Sequence, residues 1–324
     1  MFKKSLIFLA VLFLAIFVIA GYGFTSGVLT ISAGSSASPW YILAAKLADY
    51  YESEKPGTMI NVMAGGSTGN PILVADGTLD VAVTGTNDYY AALEGTAPFD
   101  KPLDILGIAN DEALCPFQFM VKKDTGLTSI EQMIEEKYPL KIVTFTKGGS
   151  PEIAASRLMQ EYGISWEDIE GWGGNVEFMS WADCGSYIRD GHANAIVGAT
   201  GYPQAIFAEV ASFADVRLLP LKDEAIDNMI KKYGYKSITI PKGAYGVTSE
   251  AIPSFGWSGV WFTRPDTSDE IAYTIAKILY ENSEEIKQLH QTFMYMDKNK
   301  MADNLFGRIH PGAEKFYREV GLIK

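Results

Sequence analysis

The stretch MAGGSTGNP, residues 63–71, gathers the residues of this chain best suited to chemistry. Gly65, Gly66, Ser67, Thr68 and Gly69 fit the G-x-S-x-G turn that lifts a nucleophilic serine out of a strand-to-helix elbow, the mark of a serine hydrolase. The same letters describe a loop whose backbone N–H groups face an anion at a helix N-terminus, which makes a receptor instead. Ser67 as nucleophile needs a histidine and an acid oriented against it. His192, His290 and His310 are isolated from one another, and only two strand-like runs precede Ser67, where a hydrolase elbow follows several. The histidines and the two cysteines show no H-x3-H or C-x2-C spacing, so neither a metal site nor a cofactor is expected.

The elements that position this loop recur along the chain. VLTIS (28–32) alternates like a strand, runs into the small-residue loop AGSSA, and meets Ser38 and Pro39 at the start of an amphipathic stretch. Ser38 suits an N-cap and Pro39 a first helical position, because proline lacks an amide that the helix has no acceptor for. Trp40, Leu43, Ala44, Leu47 and Tyr51 then share one helical face. The unit returns at INVMA with loop GGSTG, Asn70 as cap and Pro71. It returns again at KIVTFT (141–146) with loop KGG, Ser150 and Pro151, and more loosely at ANAIVG (193–198) with loop ATGY and Pro203. A fifth strand, DVAVTG, leads into a helix capped by Thr86 or Asn87. Strands alternating with helices imply an α/β architecture around parallel sheet. Ligands of such sheets bind outside the carboxyl ends of the strands, where these loops lie and where helix N-termini present free amides.

The 324 residues carry a net charge of −12 at pH 7, with 48 % hydrophobic and 20 % charged residues, which suits a chain of about two domains at roughly 150 residues each. The acidic balance and the lack of a basic run exclude nucleic acid as a partner. Lys3 and Lys4 precede an apolar run from Leu6 to Ala20, the layout of a signal peptide over residues 1–20, or of an N-terminal membrane anchor if it is not cleaved. No later stretch approaches that length, so the remainder is expected to be periplasmic or otherwise extracytoplasmic. Cys115 and Cys184 stand 69 positions apart and are expected to be buried and unpaired. The apolar segment 103–124 reads as a crossover to a second lobe, and VRLLPL (216–221) as the return.

The loops nominate Ser35, Ser36, Gly66, Ser67, Thr68, Thr86, Asn87, Gly149 and Ser150 as ligand contacts, with Lys147 as the nearest cation and Trp40 and Tyr202 as an aromatic wall. His310 is expected to be a structural hydrogen-bonding residue, and Arg157 to lie at the surface or in an ion pair.

These residues resemble the TAXI family, the substrate-binding receptors of TRAP-type transporters, over nearly all of 28–324. IHPGAEKFYREVGL (309–322) looks like the family's closing H-P-G-A segment, GGSTGN like its G-G-S-x-x-N loop, KGGSPEIAASRLMQEYG like its G-S-G-T segment, and TGYPQAIFAEVA like its G-x-P loop. The chain departs from the pattern at the pocket, with GSSASPWY (34–41) in place of a glycine-rich run, GSPE in place of G-S-G-T, and TGTND (84–88) in place of a Q-S-D-like run. The resemblance implies a two-lobed periplasmic-binding-protein-like fold of type II, with a hinge and a ligand cleft between lobes. With the crossovers read above, the lobes are 28–115 with 222–324, and 116–221. It further implies a non-enzymatic receptor that passes a small carboxylate, of the glutamate, 2-oxo acid or dicarboxylate type, to integral membrane TRAP permease subunits. A serine hydrolase using Ser67, or a solute receptor for an ABC importer or a sensor, remain the alternatives.

Overall fold

The computed structural model describes residues 28–36 and 38–324; the expected signal peptide or anchor at 1–20 lies outside them. β1 (Val28–Ser32), β2 (Met59–Met63) and β3 (Val81–Gly85) run parallel and are followed by helices α1 (Pro39–Glu54), α2 (Gly69–Ala75) and α3 (Thr86–Glu94). β4 (Leu106–Asn110) ends this lobe, and the chain crosses through Asp111–Leu114 into β5 (Cys115–Lys122). Then come α4 (Ile130–Glu135), β6 (Lys141–Phe145), α5 (Ser150–Glu161), α6 (Trp166–Gly171), β7 (Asn175–Met179), α7 (Trp181–Arg189), β8 (Ala195–Ala199), α8 (Ala205–Phe213), β9 (Val216–Leu218), α9 (Asp223–Tyr233), β10 (Lys236–Ile240) and β11 (Ile252–Trp257). Ser258 carries the chain back to β12 (Gly259–Thr263), and α10 (Asp269–Glu281), α11 (Ser283–Leu289) and α12 (Pro311–Glu319) complete the first lobe.

The sheet orders are β2-β1-β3-β12-β4 and β10-β11-β5-β8-β6-β7, with β9 paired to β5. The α/β expectation holds with antiparallel additions: β12 lies antiparallel to β3 and β4, and in the second sheet β5 is antiparallel to β8, β9 and β11, and β11 to β10. β12 and β5 are the strands by which the two crossovers enter their sheets. The lobe boundary at 222 is corrected, because α9 packs on α5 and β10 and β11 pair within the second sheet, so the return is at Ser258 and not near 216–221.

Local chemistry explains most element ends. Ser38 Oγ accepts from Tyr41 N at 3.2 Å with Pro39 first in α1, and Leu43, Ala44, Leu47 and Tyr51 are buried as their spacing requires. Asn70 is corrected: it lies inside α2, fully buried, where its amide donates to Val83 O (2.8 Å) and accepts from Ser32 Oγ (3.0 Å), tying β1 to β3. His310 has the structural role expected of it. Its Nδ1 accepts from Gly312 N (3.2 Å) at the start of α12, which leaves Nε2–H to donate to Thr267 O (3.0 Å). The α12 side chain of Tyr317 then reaches Ile108 O (2.8 Å), docking the C-terminal segment on β4. Cys115 and Cys184 are buried and free. No helix among the described residues is long and apolar enough to cross a membrane.

Candidate functional site between the lobes

Four loops of like construction, two from each lobe, end in one cleft of about 630 Å3. From the first lobe come Gly34, Ser35 and Ser38 ahead of α1, and Gly65, Gly66, Ser67 and Thr68 ahead of α2. From the second come Gly149, Ser150 and Pro151 at the start of α5, and Thr200, Gly201, Pro203 and Gln204 ahead of α8. The strands end at the cleft, so the following helices direct their positive dipole ends toward it, while part of their first-turn amides are already held within the loops: Tyr41 N by Ser38 Oγ (3.2 Å), Gly69 N and Asn70 N by Gly66 O (3.1 and 2.9 Å), and Ala205 N by Gln204 Oε1 (2.8 Å). Glu152 holds the α5 loop by accepting from Gly148 N (2.9 Å), and Tyr245 OH accepts from Gln204 N (3.0 Å) at the α8 entry.

The walls are aromatic. Trp40 and Trp257 face the first lobe's loops, and Phe145 and Trp181 stand on the second lobe. The Trp181 ring lies 5.3 Å from Phe145 and 5.9 Å from Phe207, and it uses the space above Gly198, where a Cβ would come within 2.9 Å of Trp181 Cη2. A recess of about 30 Å3 opens between Trp40 and Trp257, floored by Val83, Thr84 and Gly85.

Among the described residues no Lys, Arg, Asp or Glu side chain lines this cleft. Its one ionisable side chain of ordinary near-neutral pKa is His290, and burial lowers that pKa, so the ring is neutral at pH 7. Thr292 N donates to His290 Nδ1 (3.1 Å), which places the proton on Nε2 and makes the ring an N–H donor. A ring in that tautomer offers no base to Ser67. Among the described residues the Ser67 hydroxyl makes no hydrogen bond to a histidine or carboxylate, while its carbonyl accepts from Thr84 Oγ1 (2.7 Å). The nucleophile-elbow reading has no partner residues here.

Two buried carboxylates frame the cleft from behind. Asp111, in the first crossover, accepts four hydrogen bonds: Oδ1 from Gly259 N (2.8 Å) and Ala113 N (3.0 Å), Oδ2 from Trp40 Nε1 (2.7 Å) and Trp261 Nε1 (3.2 Å). It thus joins both crossovers to a cleft wall. Burial pushes its carboxyl up to about 6 against the pull of those donors. Asp88 in α3 accepts from Ser150 Oγ (2.7 Å) across the lobes, and burial pushes it up to about 6 as well, with the Ser150 bond and the Arg157 guanidinium opposing. Arg157 also donates to Ala97 O (2.7 Å) across the lobes. Nearby, Gly234 (φ +70°) allows close approach, since a Cβ there would lie 2.4 Å from Tyr90 Cβ.

Of the residues nominated from sequence, Ser35, Trp40, Gly66, Ser67, Thr68, Gly149 and Ser150 meet in this cleft. Ser36 is exposed outside the lining. Thr86 and Asn87 are corrected: Gly85 is the N-cap, so both fall inside the first turn of α3 and are fully buried beneath it. Lys147 is exposed and sits over the Phe178 ring at 5.3 Å, away from the lining, because the KGG turn projects it outward before Gly149 re-enters. Tyr202 packs edge-on against Tyr245 at 5.5 Å, behind its loop. Sequence reasoning missed Phe145, Trp181, Thr200, Gln204, Trp257, His290 and Thr292. Phe145 and Thr200 end or follow recognised strands and were open to the same argument. Trp257, His290 and Thr292 come from the end of β11 and the C-terminal segment, where no local pattern marks them.

A second cavity of about 420 Å3 lies at the back of the first crossover, lined by Glu112, Lys236, Tyr295 and Lys300 among others. Its half-buried Lys236 is already paired with Glu112 at 2.7 Å, and no helix N-terminus opens into it.

Two α/β lobes joined by two crossovers, with opposed helix N-termini around a cleft, define the periplasmic solute-binding-protein fold. The chain is similar to PhnD1 from Prochlorococcus marinus in complex with methylphosphonate, with 12% identity, TM-score 0.54, and 92% of this chain and 100% of that one covered. It is also similar to MatC from Rhodopseudomonas palustris with bound malate (10% identity, TM-score 0.51, 93% and 100% covered) and to a TctC solute binding protein from Polaromonas (14%, 0.50, 93% and 100%). The chain belongs to the NMT1-like family, whose profile matches residues 31–321.

Proposed function

We propose that this protein is an extracytoplasmic receptor that captures a small carboxylate between its lobes and delivers it to a TRAP-type membrane transporter. The observation that carries the reading is the convergence of four loop-and-helix N-termini, two per lobe, with the hydroxyls of Ser35, Ser67, Thr68 and Thr200, on one cleft. Local dipoles and N–H groups hold an anion that the acidic molecule repels at long range. A ligand bridging both lobes favours the closed population over the open one, with motion about the two crossovers. The transporter class rests on the TAXI resemblance. The competing reading, a receptor for an ABC importer, uses the same cleft and differs in the permease it docks.

The test is a thermal-shift panel of small carboxylates, sulfonates, sugars, peptides and cations on the chain lacking residues 1–27. At least one oxyanion is expected to raise the melting temperature by mass action on the native state; shifts by sugars or cations with none by oxyanions overturn the reading. With the best hit, Ser67→Ala is expected to weaken affinity by about two-fold to thirteen-fold, the equivalent of roughly 0.5 to 1.5 kcal/mol for one hydrogen bond among several. Lys147→Ala is expected to leave the dissociation constant unchanged by calorimetry, since its ammonium lies over Phe178.

A further inference from the structure

Building on the receptor reading above, we infer that the solute is a monoanion joined to a flat apolar body, not an amino acid or a dicarboxylate. Two features of the lining point there. The first is its charge: with no Lys, Arg, Asp or Glu among the described lining residues and His290 neutral, an ammonium group meets no carboxylate and a second anionic end meets no cation. Desolvating an uncompensated charge costs several kcal/mol, so a second charge weakens binding where one oxyanion is served by N–H groups and hydroxyls.

The second is the size and material of the walls. A volume of about 630 Å3 falls within the range of sites that bury drug-sized ligands. Trp40, Trp257, Phe145 and Trp181 spread aromatic surface across both lobes, and a short diacid leaves those rings against water. Their orientations are fixed in advance: Asp111 holds the Trp40 indole N–H at 2.7 Å, and Phe145 and Phe207 flank Trp181. Fixed indole faces bind a flat partner at little entropic cost, whereas an aliphatic chain fills the same space less well.

The experiment is calorimetric titration of the chain lacking residues 1–27 at pH 7.5 with six probes: propionate, phenylacetate, methanesulfonate, benzenesulfonate, succinate and glutamate. Each aryl anion is expected to bind at least about tenfold more tightly than its short partner with the same head group, and more tightly than succinate and glutamate. A short partner that gives no heat counts as the weaker binder. Trp181→Leu is expected to weaken phenylacetate by about fivefold or more and to leave propionate, read by displacement, within about twofold. If that variant does not fold, the ligand series decides alone. Succinate or glutamate binding as tightly as phenylacetate overturns this inference and leaves the receptor reading standing; binding of none of the six overturns both.

Discussion

Asp111→Asn is expected to destabilise the protein by about 3 kcal/mol and to weaken solute binding at the same time. Every group that faces this carboxylate is a donor, two on each oxygen. An amide at that position must turn its NH2 toward one of those pairs, so two N–H groups lose their acceptor inside a fully buried site. Whichever way it turns, one loss is at the cleft wall, where Trp40 and Trp261 bind Oδ2, or at the crossovers, where Gly259 and Ala113 bind Oδ1. The measurement is urea unfolding of wild type and variant beside calorimetry with the best ligand. A loss under about 1 kcal/mol shows that the four bonds do not act as one node. Aspartate at this site, and not asparagine, is what a surrounding of donors alone selects.

Asp88→Asn is expected to act in the opposite direction, stabilising the protein at pH 7.5 by up to about 3 kcal/mol, with the gain falling below about 1 kcal/mol at pH 4. Its carboxyl is raised by burial from 3.8 to about 6, so the folded state holds its proton more tightly than the unfolded chain does. The stabilisation tied to that proton is fully present below about 3.8 and is lost as pH rises through about 6. An amide carries no charge to desolvate at any pH. Ser150 Oγ keeps an acceptor, and Asn87, whose Oδ1 is buried without a partner, can rotate to accept from the new NH2. Denaturation of both proteins across pH 4 to 8 gives the two profiles, and parallel curves overturn the assignment. Since the Ser150–Asp88 bond spans the lobes, the same titration should be followed by small-angle scattering, with the wild type expected to be more compact at pH 5 than at pH 8.

How much of this was legible beforehand differs by element. Each strand-loop-helix unit announced itself because its determinants are neighbours in the chain: alternation gave β1 its bounds at Val28 and Ser32, and Ser38 and Pro39 marked the start of α1. A loop of small residues between a strand and a helix places amides at a helix N-terminus whatever surrounds it, so most of the cradle could be read off. Thr86 and Asn87 look like caps by the same rule, yet β3 is central in its sheet and turns into α3 without a loop, which pulls both residues under the helix.

The sequence by itself determined the α/β units, their capping and the polar loops at the strand ends. Only the tertiary structure decided where the chain returns to its first lobe, that β5 and β12 run against their neighbours, and that Trp257, His290 and Thr292 share a cleft with loops more than a hundred residues away. The physical reason is the range of the forces concerned. Capping and periodicity are settled within a turn or two of backbone, whereas strand insertion is settled by which apolar faces bury one another, and that depends on every element at once. Asp111 shows the division most plainly: its spacing says nothing, and its four donors come from three separate segments that only the assembled fold brings together.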